Sequence, residues 1–169
     1  MPLLSELNQA SREQFVGSLG HLFEHSPWVA EQTWAQRPFA DAAALHAALC
    51  AMMRAAPRER QLALIRAHPD LAGRLARQKR LTAESTREQA SAGLDQLSDA
   101  ELADFTARNE AYRDRFGFPF IICARLNAKD AILAAMQQRA GNAPEAEFAA
   151  ALGEIEKIAW LRLQDVLSG

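Results

Sequence analysis

Ser98-Asp99-Ala100-Glu101-Leu102-Ala103-Asp104-Phe105, running on to Phe116-Gly117-Phe118-Pro119, is the stretch that decides the fold class. Ser98 and Glu101 stand at capping-box spacing, where each side chain can satisfy backbone donors that a first helical turn leaves unpaired. Leu102, Phe105, Asn109, Tyr112 and Phe116 follow at helical intervals and so share one face. Gly117-Phe118-Pro119 then breaks the helix.

The same grammar recurs on both sides. Ser11 with Gln14 forms another capping box, and Pro27 fits the first turn of a helix from Trp28 to about Gln36. Asp41 opens a helix with Leu45, Leu49 and Met52 or Met53 on one face. Pro57 starts the next, with Leu62 and Ile65 inward, and Pro69 ends it at about His68 by disfavouring α geometry in the residue before it. Asn127 is expected to cap a helix reaching about Ala140, and Gly141-Asn142-Ala143-Pro144 separates it from a last helix, Glu145 to about Leu167. Phe120-Ile121-Ile122-Cys123 reads as a short extended segment or a buried turn. No alternating run reads as a strand. The expectation is an all-α fold, a single compact multi-helix domain over 1–169 with no significant sheet. Arg77 to Gln96 is the most polar stretch between helices, where function is commoner than idle chain.

Composition narrows the function classes. With 49% apolar residues, 24% charged residues and a net charge of −2, the chain lacks the cationic surplus that phosphate neutralisation needs, so no nucleic-acid partner is expected. No stretch has the apolar length of a membrane span. Met1-Pro2-Leu3-Leu4-Ser5-Glu6 has no basic region before an apolar core, so no secretory leader is expected; Val166-Leu167-Ser168-Gly169 is neither a peroxisomal address nor a prenylation box. Cys50 and Cys123, each among apolar neighbours, read as reduced buried thiols in a cytoplasmic protein.

Four constellations could carry chemistry. His21-Leu22-Phe23-Glu24-His25 matches H-x-x-E-H, which on a helix sets two imidazoles one turn apart for zinc. Gly20 and Pro27 leave barely two turns for it, so the favoured reading is an amphipathic turn, Leu22 and Phe23 inward and the polar residues wet. His68 ends a helix, where orphan carbonyls favour an imidazolium, and Asp70 nearby would push the same way; such a group can donate a proton near neutral pH. Read alone, it is more often a structural cap. Ser85 with Glu88 and Thr86 with Gln89 fit capping boxes, or else a helix N-terminus offering amides, a carboxylate and a carboxamide to a polar ligand. Arg162 falls in the apolar stripe Phe148, Leu152, Ile155, Ala159, Val166, where a guanidinium must find an anion or snorkel to water. A fixed arginine also offers a bidentate clamp for a carboxylate.

Taken together, Phe23-Glu24-His25-Ser26-Pro27-Trp28-Val29-Ala30, His68-Pro69-Asp70-Leu71-Ala72-Gly73, Ser85 to Gln89 with Ala92-Gly93-Leu94, Phe116-Gly117-Phe118-Pro119-Phe120-Ile121, and Glu156-Lys157-Ile158-Ala159 with Leu161-Arg162-Leu163 resemble one family. It is the 2-oxo-4-hydroxy-4-carboxy-5-ureidoimidazoline (OHCU) decarboxylase family of urate breakdown. The resemblance implies an all-α fold and a cofactor-free, metal-free decarboxylation to (S)-allantoin, commonly by a homodimer. It implies a catalytic set of His68 as proton donor with Glu88 and Arg162. It places the substrate against Pro69, Ser85, Thr86, Arg87, Glu88, Gln89, Phe120, Ile121, Ile122, Cys123 and Ala124. It also sets aside the zinc reading, whose residues fall in a segment similar to a structural one of the family. Two other classes stand beside it: a helical binding module, which needs no convergent polar pocket, and a zinc hydrolase on His21, Glu24 and His25, which would carry stoichiometric metal.

Overall fold

The computed structural model describes residues 2–168; Met1 and Gly169, which the terminal motifs above include, lie outside the described residues. Every regular element among the described residues is a helix: α1 Leu4–Gln9, α2 Arg12–Leu19, α3 Trp28–Thr33, α4 Ala42–Ala55, α5 Arg58–Ala67, α6 Arg74–Arg77, α7 Ala83–Ser91, α8 Asp99–Phe116, α9 Lys129–Arg139 and α10 Pro144–Ser168. Two 3₁₀ turns, Trp34–Gln36 and Ala124–Leu126, complete them. The all-α expectation holds. The chain divides into two compact units: residues up to Ala67 with those from Glu156 onward, and His68–Ile155.

In the first unit the capping signals are realised as read. Ser11 accepts from the Gln14 N–H while Gln14 returns the bond, and Asp41 accepts from the Ala44 N–H at 2.7 Å. The stripe of α4 buries Leu45, Leu49 and Met53, so Met53 rather than Met52 takes the inward place. On α5 the inward residues are Leu64 and Ile65, with Gln61; Leu62 is only half-buried. Gln61 is tolerated inside because its amide donates to the Met53 carbonyl at 3.2 Å and the Arg54 carbonyl at 3.0 Å, in the last turn of α4. α5 ends at Ala67, directly before the His68-Pro69 pair, as the proline requires.

In the second unit Ser98 and Glu101 close their capping box, and Gly117 (φ 77°) terminates α8 in the left-handed region that favours glycine. Phe105 and Tyr112 point inward with Phe118, Phe120, Ile132, Met136, Phe148 and Leu152. Burying each such side chain stabilises by about 1.5–3 kcal/mol. The helix expected to be capped by Asn127 starts one residue later, after Ala128. The Asn127 amide instead donates back to the Cys123 carbonyl at 3.0 Å, closing the turn before the helix.

Candidate functional site

His68 follows the last residue of α5 and is 8% exposed. The five residues after it make an irregular turn, with Ala72 in the left-handed region (φ 51°), a conformation that costs a β-carbon roughly 1–2 kcal/mol. That turn is held from two helices. Gln89 of α7 accepts the Ala72 N–H at 2.9 Å and donates to the Asp70 carbonyl at 3.3 Å. Asn109 of α8 donates to the Leu71 carbonyl at 2.8 Å, and Arg113, one turn further on, meets the Asp70 carboxylate at 2.6 Å. At Gly73 a β-carbon would lie 2.6 Å from that of Asp70, so no larger residue fits without a shift. The backbone leaving His68 is therefore fixed at consecutive residues.

One carboxylate oxygen of Asp70 meets Arg113, which ties the turn to α8. Gln89, expected to grip a ligand, is 6% exposed and uses both ends of its amide on the turn. A buried amide serving two backbone groups holds the turn, and its second N–H and second lone pair can still serve a further partner.

α7 is capped by Thr82, whose side chain accepts the Ser85 N–H at 3.2 Å. Ser85 and Thr86 are thus inside the helix, and neither expected capping box with Glu88 or Gln89 forms. The Thr86 hydroxyl donates to the Thr82 carbonyl at 2.9 Å. Helical geometry then sorts the run: Ser85 and Gln89 are buried, Glu88 is half-buried, and Thr86 and Arg87 face outward. α7 packs against the 3₁₀ turn Ala124–Leu126. Glu88 comes near enough to Cys123 for its charge to help push that thiol up, after burial and Glu154.

Phe120 through Cys123 form neither helix nor strand, and Ala124 begins the 3₁₀ turn; all five are buried. Their backbone is only partly matched. Ile121 and Cys123 carbonyls accept from Arg139 (2.8 Å) and Asn127 (3.0 Å), and the Cys123 N–H donates to Glu154 at 3.4 Å. The N–H groups of Phe120, Ile121 and Ile122 have no hydrogen-bond partner among the described residues. Main-chain donors in a buried segment are seldom left so, and a run of such donors marks a place for a polar ligand or water. His68, Glu88 and the 120–124 segment all belong to the second unit.

Arg162 belongs to the first unit. It is 3% exposed, inside the buried stripe of α10 as the periodicity indicated. Its anion is Glu24, 2.9 Å away and 2% exposed, and its other terminal nitrogen donates to the His21 carbonyl at 3.1 Å. The H-x-x-E-H run is a series of turns rather than a helix, with His25 in the left-handed region (φ 47°). The two imidazoles are therefore not stacked one turn apart. Leu22 and Phe23 are inward as expected; Glu24, expected to be wet, is buried because Arg162 balances its charge. Among the described residues no group of three His, Cys, Asp or Glu is placed to hold a metal ion.

Both cysteines are free and buried, as expected. Burial and then Glu156 push the Cys50 thiol up to about 12, so near neutral pH it carries its proton and is a poor nucleophile. Sequence reasoning missed Asn109, Arg113, Arg139 and Glu154 as supports of the site. Asn109 had left a signal: it is the one amide in an otherwise apolar face of α8.

Comparison with known proteins matches this architecture. A family model described as OHCU decarboxylase matches residues 8–164. A 2-oxo-4-hydroxy-4-carboxy-5-ureidoimidazoline decarboxylase of Halalkalicoccus jeotgali is 42% identical over 163 residues, 96% of this chain and 90% of that protein. The crystal structure of (S)-allantoin synthase is similar with a TM-score of 0.77 at 33% identity, over 98% of this chain and 54% of that one, so this chain spans about half its length. That of an OHCU decarboxylase in the presence of (S)-allantoin has a TM-score of 0.71 at 22% identity, over 95% of this chain and 100% of that one, a likeness of fold.

Proposed function

This chain belongs to the OHCU decarboxylase family, and from that premise we propose that it converts OHCU to (S)-allantoin without a cofactor. The observation that carries the site assignment is the buried 120–122 run of unmatched N–H groups in the same unit as His68 and Glu88.

Breaking the bond between ring and carboxylate releases neutral CO₂ and leaves its electron pair on the ring. The imidazoline's own C=N unit, adjacent to that carbon, takes up the pair, so the substrate is its own electron sink. Negative charge thus moves from carboxylate to ring, and main-chain donors already fixed in place stabilise that redistribution without reorganising. The N–H groups of Phe120, Ile121 and Ile122 fill this role in the proposal. Glu88, an acceptor, takes ureido N–H groups, with Ser85 beside it on the inward face of α7. The ring nitrogen that receives the pair takes up a proton, the ring hydroxyl gives up its own to become the carbonyl, and His68 adds a proton at the carbon carrying the ureido group, on one face only, which sets the product's handedness. Pro69 bounds the site next to it, and Cys123 and Ala124 provide apolar wall. Gln89 supports His68 through the turn. Thr86 and Arg87, being exposed, are assigned no substrate contact. Arg162, held by Glu24 in the first unit, is tested separately by Arg162→Lys.

The reading extends to a homodimer, to a cytoplasmic location and to one cooperative domain over the whole chain. Sedimentation, cell fractionation and agreement of calorimetric with van't Hoff enthalpy test these in turn. For the reaction itself, freshly made OHCU is supplied and circular dichroism follows the growth of optically active allantoin. The wild-type chain should produce it faster than spontaneous decay, and His68→Gln should lose that advantage. Wild-type turnover by His68→Gln would remove the histidine from the mechanism.

A further inference from the structure

Tyr112, Arg139, Asn142 and Glu147 form a polar cluster that the proposed chemistry does not use. Glu147, on the first turn of α10, is fully buried. One of its oxygens accepts from the Tyr112 hydroxyl at 2.5 Å and from Arg139 Nε at 2.9 Å; the other accepts from the Asn142 amide at 3.0 Å. A carboxylate so deep requires this degree of compensation. Burial first, then the Glu147 carboxylate, push the Tyr112 phenol up, so it stays a neutral donor.

Arg139 does more than balance Glu147. Its Nη1 donates to the Ile121 carbonyl at 2.8 Å, and its Cζ lies 4.3 Å from the centre of the Phe120 ring. Its Nη2 is buried without an acceptor among the described residues, so the guanidinium is not placed merely to satisfy itself. The peptide unit joining Ile121 to Ile122 is planar and trans, so its carbonyl and its N–H point in opposite directions. Fixing the Ile121 carbonyl therefore fixes the direction of the Ile122 N–H. No helix or strand ladder does this for the segment.

We propose that Arg139 is a positioning residue: held by Glu147, it clamps the Ile121 carbonyl and thereby aims the Ile122 N–H at the substrate. The inference rests on the reading above, in which the 120–122 backbone meets OHCU. Two variants separate positioning from plain structural support. Tyr112→Phe removes a hydrogen bond to Glu147 but leaves the Arg139–Ile121 contact intact. Arg139→Lys keeps a cation for Glu147 but loses the planar fork that serves both groups at once.

The experiment measures kcat and KM on fresh OHCU, melting temperature, and ¹⁵N relaxation of the Ile122 amide in the substrate-free protein. Tyr112→Phe should melt lower while keeping kcat/KM within about twofold of wild type and a rigid Ile122 amide. Arg139→Lys should lose at least about tenfold in kcat/KM, and its Ile122 order parameter should fall from about 0.85 toward 0.6. An Arg139→Lys chain with wild-type kcat/KM, a loss no greater than that of Tyr112→Phe, or an Ile122 amide as rigid as wild type overturns the assignment. If wild type itself fails to turn over OHCU, the substrate reading falls and this inference with it. If wild type is active and only the Arg139 outcome fails, the substrate reading stands.

Discussion

Replacing Gln89 by Leu isolates the support of the His68 turn. The substitution keeps approximate volume and apolar packing but removes the acceptor for the Ala72 N–H and the donor to the Asp70 carbonyl. Each lost hydrogen bond is worth about 1 kcal/mol net, and a buried partner left unmatched adds about 1–3 kcal/mol. Ala72 (φ 51°) also loses the contact that offsets its backbone strain. Asn109 and Arg113 still hold Leu71 and Asp70, so the turn is loosened rather than lost. The Asp70 carbonyl still accepts from the Gly73 N–H, so one partner is left unmatched and the sum is roughly 3–5 kcal/mol. At about 2–4 °C per kcal/mol for a chain of this size, the melting temperature should fall by roughly 6–20 °C. Because His68 leads directly into this turn, a displacement of its ring should also cost about 10–100-fold in kcat/KM, or roughly 1.4–2.8 kcal/mol of transition-state stabilisation. Thermal unfolding at fixed pH and steady-state kinetics on fresh OHCU are measured below the variant's melting transition. A drop under about 2 °C with unchanged kcat/KM would refute the claim that Gln89 holds the turn.

Arg162→Met takes the guanidinium away from the buried Glu24 carboxylate, so it should destabilise by about 3–5 kcal/mol; the double variant with Glu24→Met should recover most of that in urea unfolding. If Arg162→Lys at working temperature keeps wild-type kcat and KM while melting lower, Arg162 serves Glu24 alone and leaves the substrate site. Cys50, with its thiol raised to about 12 in the fold, binds its proton more tightly folded than unfolded. Its contribution is fully present below pH 9 and is lost as pH rises toward 12, so Cys50→Ala should flatten the alkaline limb of a stability–pH profile. On α7, Glu88→Gln should lower kcat/KM well below that of Thr86→Ala or Arg87→Ala, both expected within about twofold of wild type because those side chains face outward.

The sequence alone determined the helices, because the signals that start and stop a helix are local. Ser11 with Gln14, Asp41, Ser98 with Glu101, Gly117 and the His68-Pro69 break act within a turn of their own position. Where two local signals competed, spacing chose wrongly. Thr82 lies three residues ahead of Ser85 and caps α7, while Asn127 turns back to Cys123 instead of capping α9. The ordered family motifs further placed the chain in its family. Only the tertiary structure decided which polar groups meet. Gln89 with the Asp70–Ala72 backbone, Arg139 with Ile121, and Arg162 with a glutamate 138 positions away are choices made by packing. A hydrogen bond forms across a few ångströms whatever the separation along the chain, and burial makes an unmatched donor or charge costly enough to fix its partner. Periodicity could show that Arg162 needed an anion; it took the fold to supply Glu24.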